Sequence, residues 1–389
     1  MRATLLGGAA LVLAACQPAT EKPAAEAPPV PAARTTREIA FIANAEGGTV
    51  SLLDVAQQKI VATIDTNPEK RHVERPGAPN YAQDTDVSLD GATLYVSRGY
   101  MGDVAAFDIA THKQLWVHPL NTVRADHMTL TPDGKSLFVS LLMDARVARI
   151  DAKTGEETGR FVSGVYPHDN QISADGKHVY NTSLGNLSLP LAQRDTIKAP
   201  SDKSGYAYEF TTADIETLEV TNRVRMPVGI RPWHMKPDGT GFYAQLSDTH
   251  GVVAFDLPSG KEVKRLELPK KDGVTEADWD FSAPHHGLAL SHDGAMLCLA
   301  GRASDYAALV KAPELELVAT IPLADGPGWA AFAEDDRTCI IANTRADSIS
   351  LISVAEKKEI ARIDGGNGPK HITVTQIPDG IIASAAAAK

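Results

Sequence analysis

Residues 128–151 read MTLTPDGKSLFVSLLMDARVARID. Three short apolar runs, Met128–Leu130, Leu137–Ser140 and Val147–Ile150, are separated by Pro132-Asp133-Gly134 and by Asp144-Ala145-Arg146. Runs of this length with turn chemistry between them predict antiparallel strands, not helices. The Asp-Gly signal recurs at Asp90, Asp133, Asp175, Asp238 and Asp293, becomes Asp335-Asp336, and returns at Asp379. The spacings are 43, 42, 63, 55, 42 and 44 residues. A period near 43 is the length of one four-stranded propeller blade.

Working outward, each unit repeats one plan. A first strand precedes the turn, and a second follows it, as in Leu94–Ser97 and Cys339–Asn343. A third ends in aspartate, as in VAAFD at 104–108 and VVAFD at 252–256, and a fourth resembles KEIARID at 358–364. Seven signals predict an all-β, seven-bladed propeller. Residues 38–66 hold a second, third and fourth strand but no first, so the N- and C-terminal strands are expected to complete one shared blade. That closure removes free sheet edges.

Composition agrees with a packed core. The chain has 389 residues, 43% of them hydrophobic, and a net charge of −11. The acidic balance speaks against nucleic acid as a partner, which needs a basic surface. We expect a monomer. Three cysteines cannot build a disulfide scaffold. Aligning LCLAG with CIIAN places Cys298 and Cys339 one position out of register, on opposite faces of their strands. They are therefore expected to be separate buried hydrophobes rather than a disulfide.

The N-terminus carries an address. Residues 1–16, MRATLLGGAALVLAAC, join a positive Arg2 to an apolar run too short to span a bilayer, which takes about 20 residues. This is signal-peptide character. Leu13-Ala14-Ala15-Cys16 resembles the bacterial lipobox, which implies lipidation of Cys16, membrane attachment through that lipid, and a location on the periplasmic side of the outer membrane. Residues 17–35 are a Pro/Ala-rich tether. The propeller is expected over 36–383, with a short tail at 384–389.

Pro167-His168 ahead of Ser173-Ala174-Asp175-Gly176, with Thr49-Val50-Ser51-Leu52-Leu53-Asp54, resembles the YVTN/YncE-like family of seven-bladed propellers. The resemblance covers essentially residues 36–383. It implies the fold and leaves activity open.

Three long connections, 67–83, 184–205 and 270–284, fall on the face opposite the Asp-Gly turns, and one-sided decoration marks a working face. Eight of the twelve histidines map there. Strand alternation places His127, His285 and His371 towards the channel and His286 towards the core, and leaves His168 and His234 unphased. Asp84, Asp86 and Trp329 hold the equivalent inward phase in other blades.

The resulting candidates are a metal set of His127, His168, His285, His286 and His371, and a ligand set of Asp84, Asp86, Arg231, His234 and Trp329. Imidazole with carboxylate suits Zn²⁺ or Cu²⁺, and less well a tetrapyrrole iron. Nearby Arg71, Arg75, Arg98, Arg124 and Arg231 either clamp an anion or pair with Asp84, Asp86, Asp126 and Asp169. Three functions follow. One is a binding propeller for a metal or small ligand at the channel mouth. Another is a protein-interaction scaffold using loops 184–205 and 270–284. The third is a lactonase-like hydrolase with His234 or His285 as base beside Arg231.

Overall fold

The computed structural model describes residues 35–73, 79–189 and 207–388, together with Met1 and Gln193. Cys16 with its surrounding box, nearly all of the tether, Arg75 and most of 190–206 lie outside the described residues.

Seven four-stranded antiparallel sheets form a seven-bladed propeller. We number the blades by their inner strands: Asp84–Val87 (blade 1), Ala125–Leu130 (2), Pro167–Ile172 (3), Ile230–Met235 (4), Leu288–Leu290 (5), Pro327–Phe332 (6) and Pro369–Pro378 (7). Blade 7 is composite. Its inner strand comes from the C-terminus and pairs with Thr36–Asn44, which leads on to Thr49–Asp54 and Lys59–Asp65. The chain then ends in a helix, Asp379–Ala387, that packs Ile382 and Ala385 into the apolar seam between blades 7 and 1. The seventh Asp-Gly signal therefore starts a helix. No hairpin forms there, because the strand that would follow is supplied by the N-terminus.

The repeat residues carry the turn chemistry. Asp90 Oδ1 accepts from Ser88 Oγ (2.6 Å) and Ala92 N (3.0 Å), and Gly91 takes a φ of +72° that other residues avoid. At the end of second strands, Asn44 and Asn343 donate to serines of the third strand, Ser51 (2.9 Å) and Ser350 (2.8 Å).

Between blades the core is largely aliphatic with scattered aromatics, and between blades 3 and 4 Phe210, Trp233, Phe242 and Phe255 stack or meet edge to face.

Cys298 and Cys339 form a disulfide between blades 5 and 6. This overturns the expectation of two separate thiols. The register argument was sound within a blade, since the two residues do sit at opposite phases. In a ring of face-packed blades, however, the front of one sheet meets the back of the next. Opposite phases are what bring them together in one interblade seam with Leu309, Ile341 and Ile352.

Candidate functional site

The inner strands are irregular where they begin, on the loop face. Pairing registers shift between Ala125 and Met128, Pro167 and Asn170, Ile230 and Trp233, and Pro327 and Trp329. A bulge inserts an extra residue and re-aims side chains. The residues caught in these bulges include Asp126-His127, His168-Asp169 and Arg231.

Their rings meet on the axis. His127 stacks on Trp329 (centroids 4.9 Å), meets His168 edge-on (4.7 Å) and lies 5.5 Å from His371. His286 lies 5.6 Å from His168 and 5.8 Å from Trp329. Blades 2, 3, 5, 6 and 7 each contribute one ring, and blade 1 contributes Asp84.

Asp84 organises this layer. Its Oδ2 accepts from His127 Nδ1 (2.9 Å) and Met128 N (3.0 Å), and its Oδ1 accepts from Thr85 N (2.6 Å) and faces His371 Nδ1 at 2.6 Å. Burial opposes its charge, but the His371 and His127 imidazoles outweigh that and hold the carboxyl well below the usual range. Gln83 fixes the tautomer of His127. Its Oε1 is ringed by three donors: Asn80 Nδ2 (2.6 Å), Lys370 Nζ (2.8 Å) and Arg124 Nη2 (3.2 Å). Its amide nitrogen must then face His127 Nε2 (3.2 Å), so Nε2 accepts and Nδ1 carries the proton to Asp84.

The layer divides the channel into two cavities that share no lining residue. The loop-face cavity, about 420 Å³, is cationic: Arg124, Arg231, Arg302 and Lys370 line it, with Asp126 and Asp280. Both acids are engaged, Asp126 by Arg124 (2.9 Å) and Asp280 by Arg302 (3.0 Å) and Arg345 (2.9 Å). Lys370 ends on an amide oxygen rather than a carboxylate. Burial, with Arg124 alongside, pulls its ammonium down to about 7. Burial also keeps His168 and His286 well below the ordinary imidazole value, hence neutral.

The turn-face cavity, about 430 Å³, is lined by Asp86, Asp169, His234 and hydroxyls such as Thr129 and Thr373. Burial pushes Asp86 up to about 6 and Asp169 up to about 7, and neighbouring carboxylates add to both.

Several expected positions move. His286, expected in the core, lines the loop-face cavity. His285, expected in the channel, is sealed against His250 (3.2 Å) and Tyr306 (3.3 Å). The regular strand starts only at Leu288, and the backbone before it turns through Gly287 at φ +155°. A Cβ at position 287 would lie 2.7 Å from Trp329 Cα, so only glycine allows this approach. Alternation counted back through such a turn carries the wrong phase. Asp86 and His234 line the turn-face cavity, away from the loop-face mouth, because they sit further along their strands. The proposed hydrolase grouping is not assembled: Arg231 lines one cavity, His234 the other, and His285 neither.

Among the arginines, Arg124 pairs with Asp126 as one alternative held, whereas the buried Arg98 pairs with Asp103 and Glu69. Gln83, Lys370 and Arg302 escaped the sequence reading. The first two directly precede Asp84 and His371, and that adjacency was their one visible signal.

Residues 5–158 match a family model described as outer membrane protein assembly factor BamB. No curated protein matches the chain. Among solved structures, hydrazine synthase of Kuenenia stuttgartiensis is similar, with a TM-score of 0.62 and 19% identity over 81% of this chain and 92% of that one. At that identity the likeness is one of fold.

Proposed function

We propose that this propeller binds a small anionic ligand in the loop-face cavity of its channel. The observation that carries the reading is the convergence of four basic side chains, Arg124, Arg231, Arg302 and Lys370, against two acids, Asp126 and Asp280, on one cavity. A volume of about 420 Å³ falls within the range of small-molecule pockets, about 300–1,000 Å³. In a partly desolvated pocket such cations hold an anion by charge-assisted hydrogen bonds. The site belongs on the periplasmic side of the outer membrane, supported by the Leu13–Cys16 box and by the BamB-like match. A lipid on Cys16 would leave the cavity on a tethered, solvent-facing domain.

The test is calorimetric titration with a panel of sodium carboxylates. Changing both Arg124 and Lys370 to Ala is expected to weaken binding at least about 100-fold, since hydrogen bonds to charged groups contribute about 1.5–3 kcal/mol each. A panel in which no anion binds, or a double variant that binds as the parent does, overturns the reading.

One observation favours a second reading, a transition-metal site. Asp126 Oδ2 and His168 Nδ1 are buried without a hydrogen-bond partner. Ligand atoms of Asp126, His127 and His168 lie within 4.8 Å of one another, a donor set suited to Zn²⁺ or Cu²⁺ once His127 Nε2 exchanges the Gln83 amide for the metal. Asp84, His127 and His371 form a similar group, but there the carboxylate is already saturated by donors. The metal reading expects one equivalent of Zn²⁺ or Cu²⁺ on equilibrium dialysis, lost in His168→Ala. No uptake by the parent protein removes it.

A further inference from the structure

The loop-face cavity changes character with depth. Its floor is polar and buried: Asp126 is fully buried, and His168, Arg231 and His286 are 3–5% exposed. Its rim is apolar and open: Val123, Met143 and Phe281 are 37%, 43% and 66% exposed. Among the described residues eight large hydrophobics are exposed, and these three line this one cavity. Between rim and floor the buried Leu142 and Leu184 continue the apolar wall. Large side chains left in water around one mouth mark a contact surface rather than a random surface scatter.

Phe281 is held there at a cost. Phe281 and Ser282 both adopt left-handed backbone, with φ of +52° and +60°. Such conformations are unfavourable for residues with a Cβ. They persist where surrounding contacts dictate them. Here Arg231 donates to the Phe281 carbonyl, and Arg302 and Arg345 anchor the adjacent Asp280. Two of the arginines that line the cavity, Arg231 and Arg302, thus also fasten the aromatic rim.

We infer that the ligand is an amphipathic organic anion, an aryl or short alkyl acid, with its charged head on the floor and its apolar body against Val123, Met143 and Phe281. This rests on the anion reading above and narrows it. A fully hydrophilic anion would use the floor and leave the rim in water. A neutral apolar molecule would use the rim and make no charge-assisted hydrogen bond to the floor.

Calorimetry with 3-phenylpropionate, hexanoate, propionate and 3-phenylpropanol separates these cases. The aryl and hexyl acids are expected to bind at least tenfold more tightly than propionate and than the alcohol. Propionate binding as tightly as both larger acids overturns the inference while the anion reading stands. The alcohol binding as tightly as the acid overturns both, as does a panel in which nothing binds. The pair of changes Met143→Ser and Phe281→Ser supplies an independent check, because both side chains are exposed and their loss leaves the core intact. It is expected to weaken 3-phenylpropionate about tenfold and leave propionate unchanged; unchanged 3-phenylpropionate affinity overturns the inference.

Discussion

Asp84→Ala is expected to unfold, in urea at pH 7, with a stability about 3–5 kcal/mol below that of the parent protein, since removing a buried charged acceptor leaves each of its donors unsatisfied at about 1–3 kcal/mol. The carboxylate is 1% exposed and receives His127 Nδ1, Met128 N and Thr85 N, with His371 Nδ1 against its second oxygen. Alanine leaves those donors facing a void in the most enclosed part of the ring. It also frees the ring of His127, so the layer dividing the channel loosens. The pH dependence has a definite sign. The native carboxyl titrates below its unfolded value, which is about 3.9. Its contribution is therefore fully present above the unfolded value and is lost as pH falls through the depressed native one. The parent protein should lose stability steeply on acidification below about pH 4, and Asp84→Ala should show a shallower loss over the same interval. Urea midpoints measured at pH 7, 5, 4 and 3 check both statements. Parallel curves for the two proteins would sink the argument that Asp84 is the charged centre of the layer.

Much of this architecture was legible in the residues. The Asp-Gly period counted the blades because the turn has a fixed physical need: a carboxylate to accept local N–H groups and a glycine at positive φ. The missing first strand at residues 38–66 gave the closure, since a propeller with an unpaired edge is unfavourable. The face that carries the long connections was legible too, because insertions are tolerated where loops are already exposed. What could not be read was the phase of side chains where each inner strand begins. Strand alternation assumes regular pairing, and here the pairing shifts in five of the seven blades and passes through Gly287 in another. That is why His285 and His286 exchange roles. Lys370 and Gln83 showed only their adjacency to His371 and Asp84, for a related reason. Their significance lies in a network joining blades 1, 2 and 7, which lie close only after the ring has closed.

The disulfide is the clearest case of a ring-level relation that local register obscures, and it carries the second large expected effect. Changing Cys339 to Ala, with Cys298 also changed to Ala so that no lone thiol remains, should destabilise the protein by about 4 kcal/mol. The bond joins residues 41 apart in sequence. Closing a loop of that length removes unfolded-state entropy worth roughly this amount at 25 °C. Both cysteines are fully buried, and the seam around them is apolar, so alanine adds a modest cavity penalty in the same direction. Burial has a further consequence. A reductant reaches the bond only when the seam opens, so the native protein should resist dithiothreitol that readily reduces it once unfolded. Urea titrations of the parent, of the double variant, and of parent protein reduced and alkylated in urea separate the contributions. Reduced parent and variant should share a lowered midpoint, while untreated parent incubated with dithiothreitol under native conditions keeps the higher one. A variant as stable as the parent would mean that residual structure already restricts the unfolded chain as much as the bond does. A persistent buried disulfide is also what an oxidising compartment permits and the cytosol rarely does, in keeping with the periplasmic location proposed from the N-terminal sequence.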